Sequence, residues 1–479
     1  MNAPAKSRNG ELGFLNSVYA GLIFPFTTPR DFKGFRARLG KYERAENASF
    51  QTNLDLQWRA LKKMLQHAYD SSPFYRQRFD ESGITPSDIT SFADMKKIPY
   101  LVRDEIRHHL EDLRSRRYRR EELLRSTTGG TTDMPVPLLR DPDCIREKVA
   151  IQWRFNLWAG FRPGDKAFYL WGATFDYPQD PGWRWRLYDH SLMRRVWAPT
   201  SDLGEATLEA YRVALNKFKP RIIYAYPRAL ASFCEFLRDG GRPYVRPVAA
   251  ISNAEILYPD QRRVIEEVIG CPVFDHYGTR DFGLAAGECE FHRGMHLNPA
   301  AAYFEFVPIN EATVEGLCEL VVTDLLNYGM PMIRYRVNDC AVKISEPCPC
   351  GRGYPLFSGL VGRTSSLFRL ANGAIIMGGS LLSRAIGNSS PTLKKVQIIQ
   401  ETFENFKLRY VPGDGFREED LAVLHKMLDG YFGAPLHWQF ERVPDIERDR
   451  SGKTRLCISH VTAPSTLGVP DPQEATRTE

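Results

Sequence analysis

No stretch of roughly 18 or more apolar residues occurs, so no segment is long enough to cross a bilayer as a helix. The apolar run Phe14 to Phe26 (F-L-N-S-V-Y-A-G-L-I-F-P-F) is too short for a span and lacks the basic start and small-residue cleavage site of a secretory signal. A helix packed on the main body is expected there, with an interfacial or partner-docking segment as the other reading. An excess of one charge is also missing: 64 basic against 58 acidic residues leave a formal net charge of +6, which does not mark a nucleic-acid binder and suits anionic small molecules. Cysteine is sparse and unpatterned. Nine residues, an odd number without a repeating framework, exclude a disulfide scaffold and predict a reduced, cytoplasmic setting. No Cys/His pair has a spacing that identifies a nucleophile, no internal repeat or long low-complexity linker is found, and the G-x-x-x-x-G-K-[ST] phosphate-loop spacing is absent.

What remains is an ordinary globular composition, 43% hydrophobic and 25% charged over 479 residues, enough for two or more domains with a large core. The densest basic run, Arg114 to Arg120, reads as a solvated helix end, with an anion or lipid patch as the alternative. Directly after it, Ser126 to Pro135 reads S-T-T-G-G-T-T-D-M-P. Gly129 and Gly130 allow a close approach of backbone to an anion, and successive N–H groups with the hydroxyls of Thr127, Thr128, Thr131 and Thr132 would ring phosphate oxygens; an ordinary turn is the competing reading.

Residues 50 to 120 read as helices, with Leu54, Leu61, Leu65 and Ala68 at helical spacing and breaks at Pro73 and Pro99. From about Arg140 to Pro308, helical stretches (143–158, 208–218, 230–238, 259–269) alternate with short apolar runs (167–169, 222–224, 248–251, 273–274), which predicts an α/β fold with layered sheets and helices. A strand follows at 317–322 and another around Met332 to Tyr335. After Arg363 the pattern changes to strands at 396–400 and 407–411, a helix at 418–432 and a strand at 436–441, the size of a small α+β cap. The expected organisation is an extension over 1–50, a main domain over 51–365, a cap over 366–462 and a disordered tail over 463–479.

Three further segments carry chemistry. Asp275 to Gly283 reads D-H-Y-G-T-R-D-F-G after a predicted strand, where a ligand crevice belongs. Tyr277 would stack a purine or fill the core, and Asp281 would reach a metal held on phosphate oxygens. In Met330 to Asp339, Asp339 is an acceptor for ribose hydroxyls or a turn residue, and Arg334 or Arg336 would meet a negative group. Asp449 to Arg455 presents Lys453, a compact cation for charge on a transferring group or a solvated hairpin lysine. Separately, Cys348-Pro349-Cys350-Gly351 forms a knuckle that, with Cys289 and either His292 or His296, offers ligands suited to tetrahedral Zn²⁺. The other six cysteines read as buried apolar residues. The aromatic run Trp153 to Trp171 reads as core, with an acyl pocket as the alternative.

The phosphate run, the D-H-Y-G-T-R-D turn, Asp339 and Lys453, in this order, resemble the adenylate-forming superfamily, in the phenylacetate–CoA ligase-like branch that includes capsular polysaccharide members. The resemblance covers residues 55 to 462. It implies ATP phosphates at Thr127, Thr128, Gly129, Gly130, Thr131 and Thr132, and an adenine and acyl pocket flanked by Ala254 and Glu255. It also implies adenine on Tyr277-Gly278, Mg²⁺ at Asp281, ribose at Asp339 with Arg363, and a catalytic set of Lys453, Asp281 and Thr128. Structural zinc on Cys289, Cys348, Cys350 and His296, with His292 as the alternative, is implied too. The expected activity is ATP-dependent activation of a small carboxylic acid followed by transfer to CoA; an amine acceptor or a noncatalytic scaffold in polysaccharide assembly are the alternatives. Asp133 in place of the family's usual glycine, Arg280 in place of Thr or Ser, and a hinge (Gly362 to Ser366) without an acidic residue depart from the pattern. No oligomeric state follows from the chain, and a homodimer is retained for testing.

Overall fold

The computed structural model describes residues 34–127, 136–172, 182–183, 187–378, 392–413, 415–433, 436–446 and 456–461. The lead-in is helical. Helix α1 (Phe35–Glu46) falls within the expected extension and packs on the main body, with Arg38 bonded to Glu147. In α2 (Phe50–Ser71) the Ser49 hydroxyl accepts from the Thr52 N–H at 3.1 Å, capping the first turn. Its buried stripe runs through Asn53, Gln57, Leu61, Met64, Leu65 and Ala68. Leu54 is only half-buried, because Asn53 and Gln57 take the inner face by donating to the Ala45, Gly353 and Ala302 carbonyls. Helix α3 (Pro73–Glu81) starts on the predicted proline break.

A hairpin of β1 (Leu124–Thr127) and β2 (Pro137–Arg140) leads into α4 (Pro142–Trp158), whose N-cap Asp141 accepts from the Cys144 N–H. Strands β3 (Ala167–Trp171), β4 (Arg195–Pro199), β5 (Ile222–Ala225), β6 (Ala249–Ser252) and β7 (Val273–Thr279) then alternate with α5 (Glu205–Phe218), α6 (Pro227–Asp239) and α7 (Pro259–Ile269). These strands are mutually parallel in the order β4-β3-β5-β6-β7. Strands β5 and β6 are buried at every position, as parallel strands with both faces covered must be.

The chain then reverses. Strands β8 (Gly283–Glu288), β9 (Met295–Leu297), β10 (Ala302–Pro308), β11 (Leu317–Asp324), β12 (Tyr335–Ile344) and β13 (Leu356–Arg363) extend the same sheet antiparallel to eleven strands, ordered β10-β11-β12-β13-β9-β8-β7 on this side. The strand expected around 332–335 instead begins at Tyr335, because Arg334 sits at φ 52° in a buried connection. Beyond Arg363, β14 (Leu367–Arg369) pairs with β15 (Ile375–Met377), and β16 (Leu393–Gln400), β17 (Asn405–Pro412), β18 (His437–Arg442) and β19 (Cys457–Ser459) form a four-stranded sheet. Helix α8 (Glu419–Phe432) packs on it through Leu424, Leu428 and Phe432, giving this unit its own core.

Candidate active site and metal centre

The parallel strands aim their carboxyl ends at one edge, and the order reverses between β3 and β5, the position at which such sheets place a ligand. Beyond β6 at the same edge, Asn253 donates to the Tyr224 hydroxyl at 2.9 Å, and Ala254 is held at φ 71° with its N–H on the Asn253 side-chain oxygen. Ala254 and Glu255 are half-buried just beyond β6.

The D-H-Y-G-T-R-D-F-G run is the seam between the sheet's two halves: β7 ends at Thr279, turns through Arg280 to Phe282 and returns as β8. Gly278 is required there, since a Cβ would lie 2.5 Å from the Gly283 carbonyl oxygen and 2.6 Å from Leu284 Cα. Asp281 is buried at the turn. One of its oxygens accepts from the Tyr335 hydroxyl at 2.7 Å and lies 3.8 Å from an Arg103 nitrogen, while Arg103 Nε donates to the same hydroxyl at 3.2 Å. Arg103 and Tyr335 come from a short helix and from β12; neither was assigned a role from the sequence, where only their residue types were visible.

Asp339 and Arg363 are cross-strand partners on β12 and β13, with Arg363 Nε 3.2 Å from Asp339 Oδ1. The Tyr277 hydroxyl donates to Asp339 Oδ2 at 3.0 Å. Burial, together with the adjacent carboxylate in each case, pushes the Tyr277 and Tyr335 hydroxyls above the usual phenol range, so both remain proton donors to their carboxylates. Tyr277 is only 3% exposed, with the rings of Phe282, Phe304 and Phe357 at 6.0, 6.3 and 5.6 Å. Those are the surroundings of a core aromatic, so of its two sequence readings the stacking one is corrected: the three phenylalanines occupy the space around the ring, and its hydroxyl orients Asp339.

Arg334 and Arg336 each meet a negative group, and in both cases it is a carboxylate of the protein itself. Arg334 pairs with Glu305 at 2.9 Å and Arg336 with Glu319 at 2.8 Å, committing both to the antiparallel half. The basic run is likewise paired, with Arg116, Arg117, Arg119 and Arg120 set against Asp112, Asp70, Glu122 and Glu111. Of the phosphate run, Thr127 is exposed at the end of β1; Thr128, Gly129, Gly130, Thr131, Thr132 and Asp133, like Lys453, lie outside the described residues.

Cys289, His296, Cys348 and Cys350 converge away from this seam, their ligand atoms all within 4.8 Å of one another. Cys289 Sγ and Cys348 Sγ are 3.6 Å apart, and Cys350 Sγ and His296 Nε2 3.4 Å. Zn–S bonds of about 2.3 Å in a tetrahedron place two sulfurs about 3.8 Å apart, so the spacing fits Zn²⁺. The Cys350 thiol is held well below its ordinary range by hydrogen bonds from Cys289 first and then His296, a thiolate environment. His292 is not in the cluster: its Nδ1 is 3.1 Å from Glu288 Oε2. The knuckle also anchors the lead-in, with Gly353 N–H on the Glu46 carbonyl at 2.9 Å and the Trp158 indole N–H on the Glu46 carboxylate at 3.0 Å.

Residues 369–460 match the family model described as the CapK C-terminal domain. The chain is 28% identical over 302 residues to a phenylacetate-coenzyme A ligase of Pseudomonas putida, covering 61% of this chain and 67% of that protein. It is 26% identical over 309 residues to the phenylacetate-coenzyme A ligase of Escherichia coli K12, with shares of 62% and 69%. Among solved structures, 2-hydroxyisobutyryl-CoA ligase in the postadenylation state has the same fold, with a TM-score of 0.68 at 20% identity over 87% of this chain and 91% of that one. Along its main body the chain is therefore similar to phenylacetate-coenzyme A ligases, its C-terminal unit matches the CapK C-terminal domain, and its fold is that of a CoA ligase.

Proposed function

We propose that the protein uses ATP to convert a carboxylic acid into an acyl adenylate and then passes the acyl group to the thiol of coenzyme A. The observation that carries this reading is the pair of buried carboxylates at the seam, each set by a tyrosine hydroxyl and an arginine: Asp281 with Tyr335 and Arg103, Asp339 with Tyr277 and Arg363. Asp339 keeps acceptor capacity for the ribose hydroxyls, and the half-exposed Arg363 fixes its plane. Ala254 and Glu255 flank the adenine and acyl space at the strand ends. Thr127 and the adjoining run from Thr128 to Thr132 surround the phosphates. The Mg²⁺ that accompanies ATP would offset charge on the phosphate oxygens, and Asp281, a hard oxygen donor, is the residue to hold it.

In the first step a carboxylate oxygen attacks the α-phosphorus and the bond to pyrophosphate breaks; Lys453 bridges the two as negative charge spreads. In the second, the cap over 366–462 turns about the hinge near Ser366, the thiol sulfur attacks the acyl carbonyl and AMP leaves. Cys289, His296, Cys348 and Cys350 hold zinc as a structural ion that locks the lead-in helices to α4. All nine cysteines are unpaired, which supports a cytoplasmic setting.

The test is carboxylate-dependent pyrophosphate release over aryl, fatty and sugar acids, with and without CoA. The resemblance to polysaccharide-linked members makes biosynthetic acids the first to try. Lys453→Ala should abolish release while ATP still binds, and unchanged turnover would eliminate the mechanism. Zinc should be stoichiometric in the wild type and lost in His296→Ala but not in His292→Ala.

A further inference from the structure

We propose that Arg140 grips the polyphosphate end of the nucleotide, the part that leaves as pyrophosphate; the inference rests on the ATP-dependent reading above. Arg140 closes β2, and its pairing with Leu124, alongside that of Ser126 with Leu138, puts Ser126 and Arg140 on the same face of the hairpin. Its guanidinium donates to the Arg280 carbonyl, in the turn that carries Asp281, so it ties the hairpin to the seam.

Two polar atoms on this face lack partners among the described residues: Arg140 Nε and Ser126 Oγ are both buried without a hydrogen bond. Buried donors are normally satisfied, and a pair of them beside a carboxylate turn calls for an acceptor from outside the chain. The nearby carboxylates are already engaged. Asp141 caps α4 and accepts from the Tyr328 and Gly329 N–H groups, and Asp324 is held by Lys148 at 2.6 Å. Where Arg103, Arg334 and Arg336 each have a carboxylate, Arg140 has none within ion-pair distance among the described residues. A guanidinium with one edge fixed on a carbonyl and its Nε unbonded is a fork for phosphate oxygens. AMP lacks the β- and γ-phosphates, so this grip separates ATP and pyrophosphate from AMP.

The experiment titrates ATP, pyrophosphate, AMP and CoA into the wild type and Arg140→Gln by calorimetry, with melting temperature as the check on folding. ATP and pyrophosphate should weaken by about tenfold or more, the worth of one charge-assisted contact, while AMP and CoA stay within about twofold. Equal losses for ATP and AMP would show a merely structural residue; a loss confined to CoA, or no loss, would overturn the assignment. Ser126→Ala removes only the unpartnered hydroxyl and decides the matter if Arg140→Gln melts early: a loss of about threefold for pyrophosphate with AMP unchanged supports the grip, and no change overturns it. A folded wild type that binds neither ATP nor pyrophosphate would overturn both this inference and the activating function, whereas normal wild-type binding with an indifferent Arg140→Gln overturns the inference alone.

Discussion

The parallel and antiparallel halves of the central sheet serve the site in different ways. In the parallel half, the central strands β3, β5 and β6 carry no charged residue, and what they offer a ligand lies beyond their carboxyl ends, at Asn253, Ala254 and Glu255. In the antiparallel half the strands themselves carry the chemistry: Tyr335 and Asp339 on β12 and Arg363 on β13. The reason is burial. Helices cover both faces of a parallel sheet, so a charged side chain in mid-strand would be desolvated without a partner. The antiparallel strands can pair opposite charges across the ladder, as Asp339 and Arg363 do in register. The seam at 275–283 belongs to both halves, which is why a short motif reports the whole site.

The pair that bolts the halves together gives the largest expected effect. Lys148 on α4 meets the fully buried Asp324 at the end of β11. Lys148→Met leaves that carboxylate unpaired and should cost about 3 to 5 kcal/mol in urea unfolding; a loss below about 1 kcal/mol would show the halves do not depend on the bolt. Next, Asp281→Asn should lower acid-dependent pyrophosphate release by about 10² to 10³, with near-ultraviolet circular dichroism unchanged. Retained turnover would move the chemistry off the seam.

A third measurement probes the parallel half alone. His276 on β7 packs against Phe155 and Tyr224, and burial pushes its imidazole down to about 4. The unfolded chain binds this proton near pH 6.5, so between about pH 6.5 and pH 4 it holds more protons than the native one. Stability should therefore fall by up to about 3 kcal/mol as pH drops through that window. His276→Gln should flatten that part of the profile. The carboxyl of neighbouring Asp275, raised by burial and by Glu288, acts with the opposite sign and is common to both proteins. The smallest effect belongs to the half-exposed cross-strand pair: Arg363→Met should raise the KM for ATP by about tenfold, change kcat little, and narrow discrimination against 2′-deoxy-ATP. A change in kcat alone would place Arg363 elsewhere in the cycle.

Much of this was legible before any tertiary contact was known. Each predicted run at 167–169, 222–224 and 273–274 lies inside an observed strand, because a parallel strand buried on both faces reads as a short unbroken apolar run. Strands β8 to β10 and β13 were not read at all. Strand β9 has three residues and β8 and β13 contain glycine, so their pairing is set by neighbours, whereas β10 (A-Y-F-E-F-V-P) had the aromatic pattern of a strand and was missed. Lys453 and most of the phosphate run lie outside the described residues, so their places remain proposals.

The sequence by itself determined the alternation of helices and strands, the glycine-bearing seam and the thiol and imidazole donors near the knuckle, because periodicity, turn chemistry and ligand type are local properties. Only the tertiary structure decided that Tyr277 serves Asp339 from within the core, that Arg334 and Arg336 are spent on Glu305 and Glu319, and that His296 rather than His292 joins the cysteines. It alone brought Arg103 to Tyr335 across 232 residues and Tyr335 to Asp281 across 54. Which cation meets which carboxylate is set by distance in the folded molecule, and spacing along the chain does not encode it.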